Sequence, residues 1–177
     1  MLLLGAVCSL SAKEADYSQP SYQGDVSIGF GAGGGELPTS LFYLQTVHGI
    51  RANESLFVGV GSGFNFGLTP GSGTHIPIYA NIKAYVPLSE QSSLFGSVDF
   101  GGFFGDSSGL FFGPAVGLTV LDLINVSFGY ELHRSVVEVY NERPMDSNLY
   151  YKDYRDMGSS LDVILDGAFA LKFGIQF

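Results

Sequence analysis

Residues 165–177 read LDGAFALKFGIQF, and this stretch constrains the fold more than any other in the chain. Phe169, Leu171, Phe173, Ile175 and Phe177 fall on one face of a strand, and Ala168, Ala170, Lys172, Gly174 and Gln176 fall on the other. The alternation has the period of two that a β-strand imposes. A half-buried strand of a soluble domain turns its polar face to water. Here the second face is too small and too poor in charge to serve as an ordinary solvent face. A strand that is apolar outside and small or polar inside suits a closed barrel with lipid as its outer solvent.

Composition agrees with that reading. Only 14% of the 177 residues are charged, against roughly 25% in ordinary globular domains. Mean hydropathy is +0.25, yet past the N-terminus no stretch approaches the ~20 apolar residues that a membrane helix requires. Hydrophobicity without a helical span points to strands. A transmembrane strand needs about 9–11 residues, so eight strands with their turns fit a chain of this length and sixteen do not. The net charge of −9 and the absence of a basic patch exclude a nucleic-acid partner.

The chain begins MLLLGAVCSLSAKEADYSQ, an apolar run closed by Ser9 and Ser11 at the −3 and −1 positions of a secretory cleavage site. Residues 1–11 are expected to be a signal peptide, extending to 15 in a longer reading. Residues 12–21 then form a short periplasmic segment and 22–177 the barrel. Val7 before Cys8 is the wrong residue type for a lipoprotein signal. Cys8 is the only cysteine, so the mature chain is expected to carry no disulfide and no thiol chemistry.

Strands are expected at about 22–32, 40–50, 55–68, 76–87, 94–104, 110–121, 125–137 and at the terminal stretch. Seven of them show the same sense of alternation. In the third, for example, Val58, Val60, Phe64 and Phe66 oppose Gly59, Gly61, Gly63 and Asn65. In the seventh, Val126, Phe128, Tyr130 and Leu132 oppose Ser127, Gly129, Glu131 and His133. The faces of 40–50, SLFYLQTVHGI, are left unassigned because both carry apolar residues. Connections at 51–54, 88–93 and 122–124 are short, and the segment from about 138 to 160 is the longest, the outer-membrane pattern of short periplasmic turns and longer outer loops. Pro77 and Pro114 are expected near strand ends or bulges, because proline cannot donate to a ladder.

Five stretches, NESLFVGVGSGFNFG, IPIYANIKAYVPL, SLFGSVDFGGFFG, LFFGPAVGLTV and FALKFGIQF, resemble the small outer-membrane β-barrel proteins of the porin-like superfamily, the outer membrane protein β-barrel domain group. The resemblance covers residues 22–177 and implies an all-β, eight-stranded antiparallel transmembrane barrel with up-and-down topology. It also implies that Phe173, Ile175 and Phe177 form a barrel-assembly signal read by the outer-membrane insertion machinery.

Several residues are candidates for chemistry. Lys83, Asp99, Glu131 and Lys172 lie on inward faces, with Asp25 and Asn81 close in pattern. They can form either a salt-bridged plug or a polar pathway. The plug is favoured, because buried charges must be paired and eight strands leave little open lumen. His133-Arg134-Ser135 resembles the His-x-Ser element of outer-membrane lipid A deacylases, in which Ser is a nucleophile and His its base. Val136 and Val137 follow Ser135 where that family has a polar Asn and small residues, and the register turns His133 inward. His48 and His75 have no metal-ligand spacing, and Gly33-Gly34-Gly35 lacks the strand–helix context of a phosphate loop. No metal and no cofactor is expected.

Tyr140, Tyr150, Tyr151 and Tyr154 cluster in the long segment and are the binding candidates, since tyrosine offers large contact area at low entropic cost. The expectation is therefore a monomeric, non-enzymatic barrel in the outer membrane of a Gram-negative-type cell. Its partners are outer-membrane lipids, the insertion machinery and an extracellular protein or glycan. A narrow pore for small solutes, a lipid A deacylase-like hydrolase and a soluble ligand-binding barrel are the alternatives.

Overall fold

A computed structural model describes residues 19–33, 40–69, 73–106, 108–140 and 159–177. It contains eight strands: β1 (Ser21–Gly33), β2 (Ser40–Asn53), β3 (Leu56–Gly67), β4 (Thr74–Ser89), β5 (Ser92–Gly105), β6 (Gly109–Val120), β7 (Ile124–Tyr140) and β8 (Ser159–Gln176). Each pairs antiparallel with its neighbours in sequence, and β8 closes the ring on β1. This is the up-and-down, eight-stranded transmembrane barrel type expected from the alternation. No helix among the described residues is long and apolar enough to cross a membrane, and the wall is built of strands alone.

The alternation sorts side chains as the pleat requires. The outward faces of β4, β6 and β8 carry only apolar side chains over most of their length, from Ile76 to Val86, Leu110 to Val120 and Phe169 to Ile175. Large residues such as Phe128 and Phe169 are more than half exposed on this surface and stack on one another with ring centroids 5.8 Å apart. So extensive an apolar exterior has no counterpart on soluble monomers, whose largest patches are a few hundred Å².

Inside, glycine and aromatic residues interlock. Phe57, Tyr79, Tyr85, Phe95, Phe103 and Phe111 form one buried cluster with Val47. A Cβ at Gly49 of β2 would stand 2.8 Å from Phe57 Cζ of β3, and one at Gly61 of β3 would fall within the Tyr79 ring of β4. Glycine on one strand therefore makes the space that a ring from the next strand fills. β2, whose faces the sequence leaves open, proves bulky on both sides: Leu41, Tyr43 and Val47 point inward and Phe42, Leu44 and Ile50 outward.

The turn end is tight. Leu121 and Asp122 both adopt positive φ, 57° and 50°, and Leu123 N–H donates to Val120 C=O at 3.2 Å. That is the geometry of a type I′ turn, which follows the twist of the flanking strands. Pro77, the fourth residue of β4, lies near a strand end as expected, whereas Pro114 departs from expectation. Pro114 sits in the middle of β6, and Pro77 lies opposite Phe103, with no register shift at either. Each keeps one continuous ladder and loses the other. The β3–β4 pairing skips from Ser62↔Ile78 to Asn65↔His75, and the β6–β7 pairing from Phe112↔Leu132 to Ala115↔Gly129. The missing N–H is thus accommodated by interrupting one ladder, with register kept, rather than by a bulge.

Candidate functional site

The inward positions of β1, β2, β4, β5, β7 and β8 converge on a charged network at mid-height. Lys172 Nζ lies 2.7 Å from Glu131 Oε1, donates to Gln45 Oε1 at 2.9 Å and stands 4.0 Å from Asp99 Oδ2. Its ammonium also rests 5.0 Å from the centre of the Tyr43 ring, within cation–π range. Lys83 turns the other way, to Asp25 Oδ2 at 3.3 Å, and stands between the rings of Phe57 and Phe95 at 5.6 and 5.4 Å.

Neutral groups complete these charges. Asn81 donates its amide to Asp99, its cross-strand partner. Asn125 donates to Asp25 and accepts from the Thr119 hydroxyl at 2.7 Å. Gln45 donates to Asn65 at 2.8 Å. His133 faces the lumen with Nε2 3.4 Å from Glu131 Oε2, its ring lying against Phe103 and Phe111. This arrangement gives carboxylates and ammonium groups the close partners that a low-dielectric interior requires.

Both mouths are narrowed by side chains. At the turn end the Arg51 guanidinium covers the Tyr85 ring at 3.9 Å and donates to the Glu54 carbonyl at 2.7 Å, while Gln23 donates to Tyr85 Oη at 3.0 Å. Toward the other end His75 and His133 both pack on Phe103. The cavity left between has a volume of about 50 Å³, room for a few waters.

The four charges singled out from sequence all face this interior, but they form two groups. Glu131 and Asp99 gather on Lys172, and Lys83 belongs to Asp25. Gln45 and Arg51 were missed because the faces of β2 were unassigned. Asn125, the first residue of the expected strand 125–137, shares the inward parity of Ser127 and Glu131, so alternation places it on the inward face. Of the tyrosines, Tyr140 is the last residue of β7 with its side chain outside the described residues, as are Tyr150, Tyr151 and Tyr154. The expected signal segment, 1–11, is also outside them.

Phe173, Ile175 and Phe177 face outward. Phe177 closes the ring: its N–H donates to Gly24 C=O at 2.9 Å, its carbonyl accepts from Gly24 N–H at 2.7 Å, and its ring covers Gly24. His48, on the outer wall, bonds through Nδ1 to Tyr22 Oη at 2.5 Å and through Nε2 to Thr46 Oγ1 at 2.9 Å. The Thr46 hydroxyl donates to the Asp25 carbonyl. His48 Nε2–H therefore donates to Thr46, and Nδ1 accepts from Tyr22. Thr46 accepts a hydrogen bond from this imidazole and is not activated by it.

No protein-family model matches the sequence, and neither does any curated protein. Among solved structures, Neisserial surface protein A (NspA) is similar over 90% of this chain and 100% of its own, with a TM-score of 0.53 and 12% identity. A designed transmembrane β-barrel aligns over 92% of this chain and 100% of its own, with a TM-score of 0.47 and 11% identity. The likeness to NspA shows the barrel fold alone.

Proposed function

We propose that the chain is an integral outer-membrane protein whose lumen is closed by its own side chains and whose role is exercised at the cell surface through the β7–β8 hairpin. The observation that carries this reading is the unequal height of the wall. β6 last pairs with β7 at Gly109↔Ser135, and β1 last pairs with β8 at Gly33↔Ala168. The β7–β8 ladder continues alone from Val136↔Val163 to Tyr140↔Ser159. The backbone hairpin thus rises past its neighbours at the end opposite the short turns, the side where outer-membrane barrels carry their longer loops.

The ligand class suited to the tyrosine-rich segment beyond Tyr140 is an extracellular protein or glycan. The reading is non-enzymatic, and His133 directs its Nε2 to Glu131 inside the lumen. Outer-membrane lipids surround the apolar wall, and the insertion machinery reads the terminal Phe173, Ile175 and Phe177.

The test has two parts. The mature protein should fractionate with outer membranes and resist carbonate extraction, and photo-crosslinkers at Val139 and Ser160 should capture surface ligands on intact cells. Recovery as a soluble periplasmic protein would overturn the location. Steady conductance of the wild-type barrel in planar bilayers would overturn the closed lumen in favour of a solute pore.

A further inference from the structure

The two prolines interrupt two ladders, but only one interruption meets the internal cavity. Pro77 is fully buried against the lumen side of β4. Pro114 faces outward and yet lines the cavity together with Gly113, Ala115, Gly129 and Glu131. Across this seam the β6–β7 ladder lacks the pairs of Gly113 and Pro114 with Glu131 and Tyr130. A Cβ at Gly113 would meet nothing nearer than Glu131 Cγ at 3.4 Å and Asp99 Cβ at 3.6 Å, so the inner side of the wall has space here. Directly behind stand Glu131 and Lys172.

A strand group without a hydrogen-bond partner is costly in hydrocarbon, and irregular backbone at membrane depth persists only where protein or water serves it. The cavity supplies that service from within. A wall segment whose ladder to one neighbour is broken at two pairs, backed by a small polar chamber, is the part of the barrel that opens at least expense. We propose that the β6–β7 seam at Gly113–Pro114 and Tyr130–Glu131 is a lateral portal between the lipid phase and the lumenal chamber. Its ligand class is a lipid-soluble molecule with one small hydrogen-bonding end group, a hydroxyl, amide or carboxyl, that reaches the Asn81, Asp99, Glu131 and Lys172 side chains while its apolar part stays in the bilayer. About 50 Å³ of chamber admits an end group of this size and nothing larger.

The proposal rests on the membrane placement argued above, and the experiment separates the two. Single-cysteine variants of the full chain, each with Cys8→Ser, are reconstituted in lipid vesicles and treated with a long-chain N-alkyl maleimide dissolved in the bilayer. Phe128→Cys reports the outer wall. Ala115→Cys reports the chamber at the seam, and Ser27→Cys reports the chamber behind the continuous β1–β2 and β1–β8 ladders. Labelling is expected at 128, and at 115 at least about ten-fold faster than at 27, as local opening at the seam requires. Adding Pro114→Ala, which restores the missing donor, should slow labelling at 115. In the unaltered protein, the amides of 130–132 should exchange hydrogen faster than those of 81–83 in the uninterrupted β4–β5 ladder. Labelling at 128 with equal rates at 115 and 27 would overturn the portal alone, as would equal amide exchange. No labelling at 128 would overturn the membrane placement and the portal together.

Discussion

The lumen is filled in two ways. On β3–β6 it is packed with the rings of Phe57, Tyr79, Tyr85, Phe95, Phe103 and Phe111, of which Phe57, Tyr79, Phe95 and Phe103 lean over glycines of the neighbouring strands. On β1, β7 and β8, with Gln45 of β2, it is filled by short polar side chains and by the Lys172–Glu131 and Lys83–Asp25 pairs, the second lysine reaching across from β4. The first region is held by shape. Many weak dispersion contacts share the stabilisation, and a lost contact is a graded loss. The second is held by charge balance, and one missing partner leaves the other buried and uncompensated. An eight-stranded barrel tolerates the two together because glycine-rich arcs of wall let large rings cross the axis while polar arcs meet them from the opposite side.

The largest expected effect tests the charged region. Glu131→Ala removes the 2.7 Å partner of Lys172 and leaves Asp99 at 4.0 Å. It should cost about 3–5 kcal/mol in denaturant unfolding from lipid vesicles. Glu131→Ala with Lys172→Met should cost less than the sum of the single changes, because neither charge is then orphaned. An additive double mutant would show that the pair does not act as a unit.

The outer wall offers a boundary for the comparison. Phe128→Arg places a charge on the exposed apolar face and should cost about 2–4 kcal/mol near the bilayer midplane. Equal stability of this variant and the wild type would mean that residue 128 does not face hydrocarbon. A smaller effect is expected in the ring-packed region. Gly61→Val would drive a side chain into the Tyr79 ring, with a cost of about 1–3 kcal/mol from overpacking. Tyr79→Leu in the same chain should recover part of that loss, as shape-held packing permits. Failure of any such rescue would place the two regions under the same rule.

The smallest change lies outside the lumen and should be stabilising. Leu121 sits at φ 57° in the type I′ turn, where a side chain beyond glycine or asparagine is strained. Leu121→Gly should raise the unfolding midpoint by an amount equivalent to about 1 kcal/mol.

Much of this architecture is legible in the sequence because alternation is a local property. Val126, Phe128, Tyr130 and Leu132 announce their face without reference to any other strand. The short turns mark where strands reverse, and Asp122 marks one of them. Pairing across the lumen is not local. Asp25 and Lys83 come from strands three apart in the ring and meet only because register brings their inward positions to one height. Nothing in the sequence distinguishes Asp25 from Asp99 as the partner of Lys83. Pro114 misleads for a related reason. A rule that keeps proline at strand ends treats both neighbouring ladders as needed, whereas Pro77 and Pro114 each forgo one and keep the other.

The two backbone bonds between Gly24 and Phe177 give the ring a cyclic order without a privileged first strand. Each strand has two antiparallel neighbours, and the ends of the barrel-forming segment meet side by side. A circular permutant joined across that meeting point and opened at the Leu121–Asp122 turn would keep every ladder except the turn it cuts. It would also bury Phe177 in mid-sequence, far from any terminus. Geometry and biogenesis would then be separated in one molecule: the permutant retains all that the closed ring needs for stability, and lacks the terminal phenylalanine that the proposed assembly signal requires.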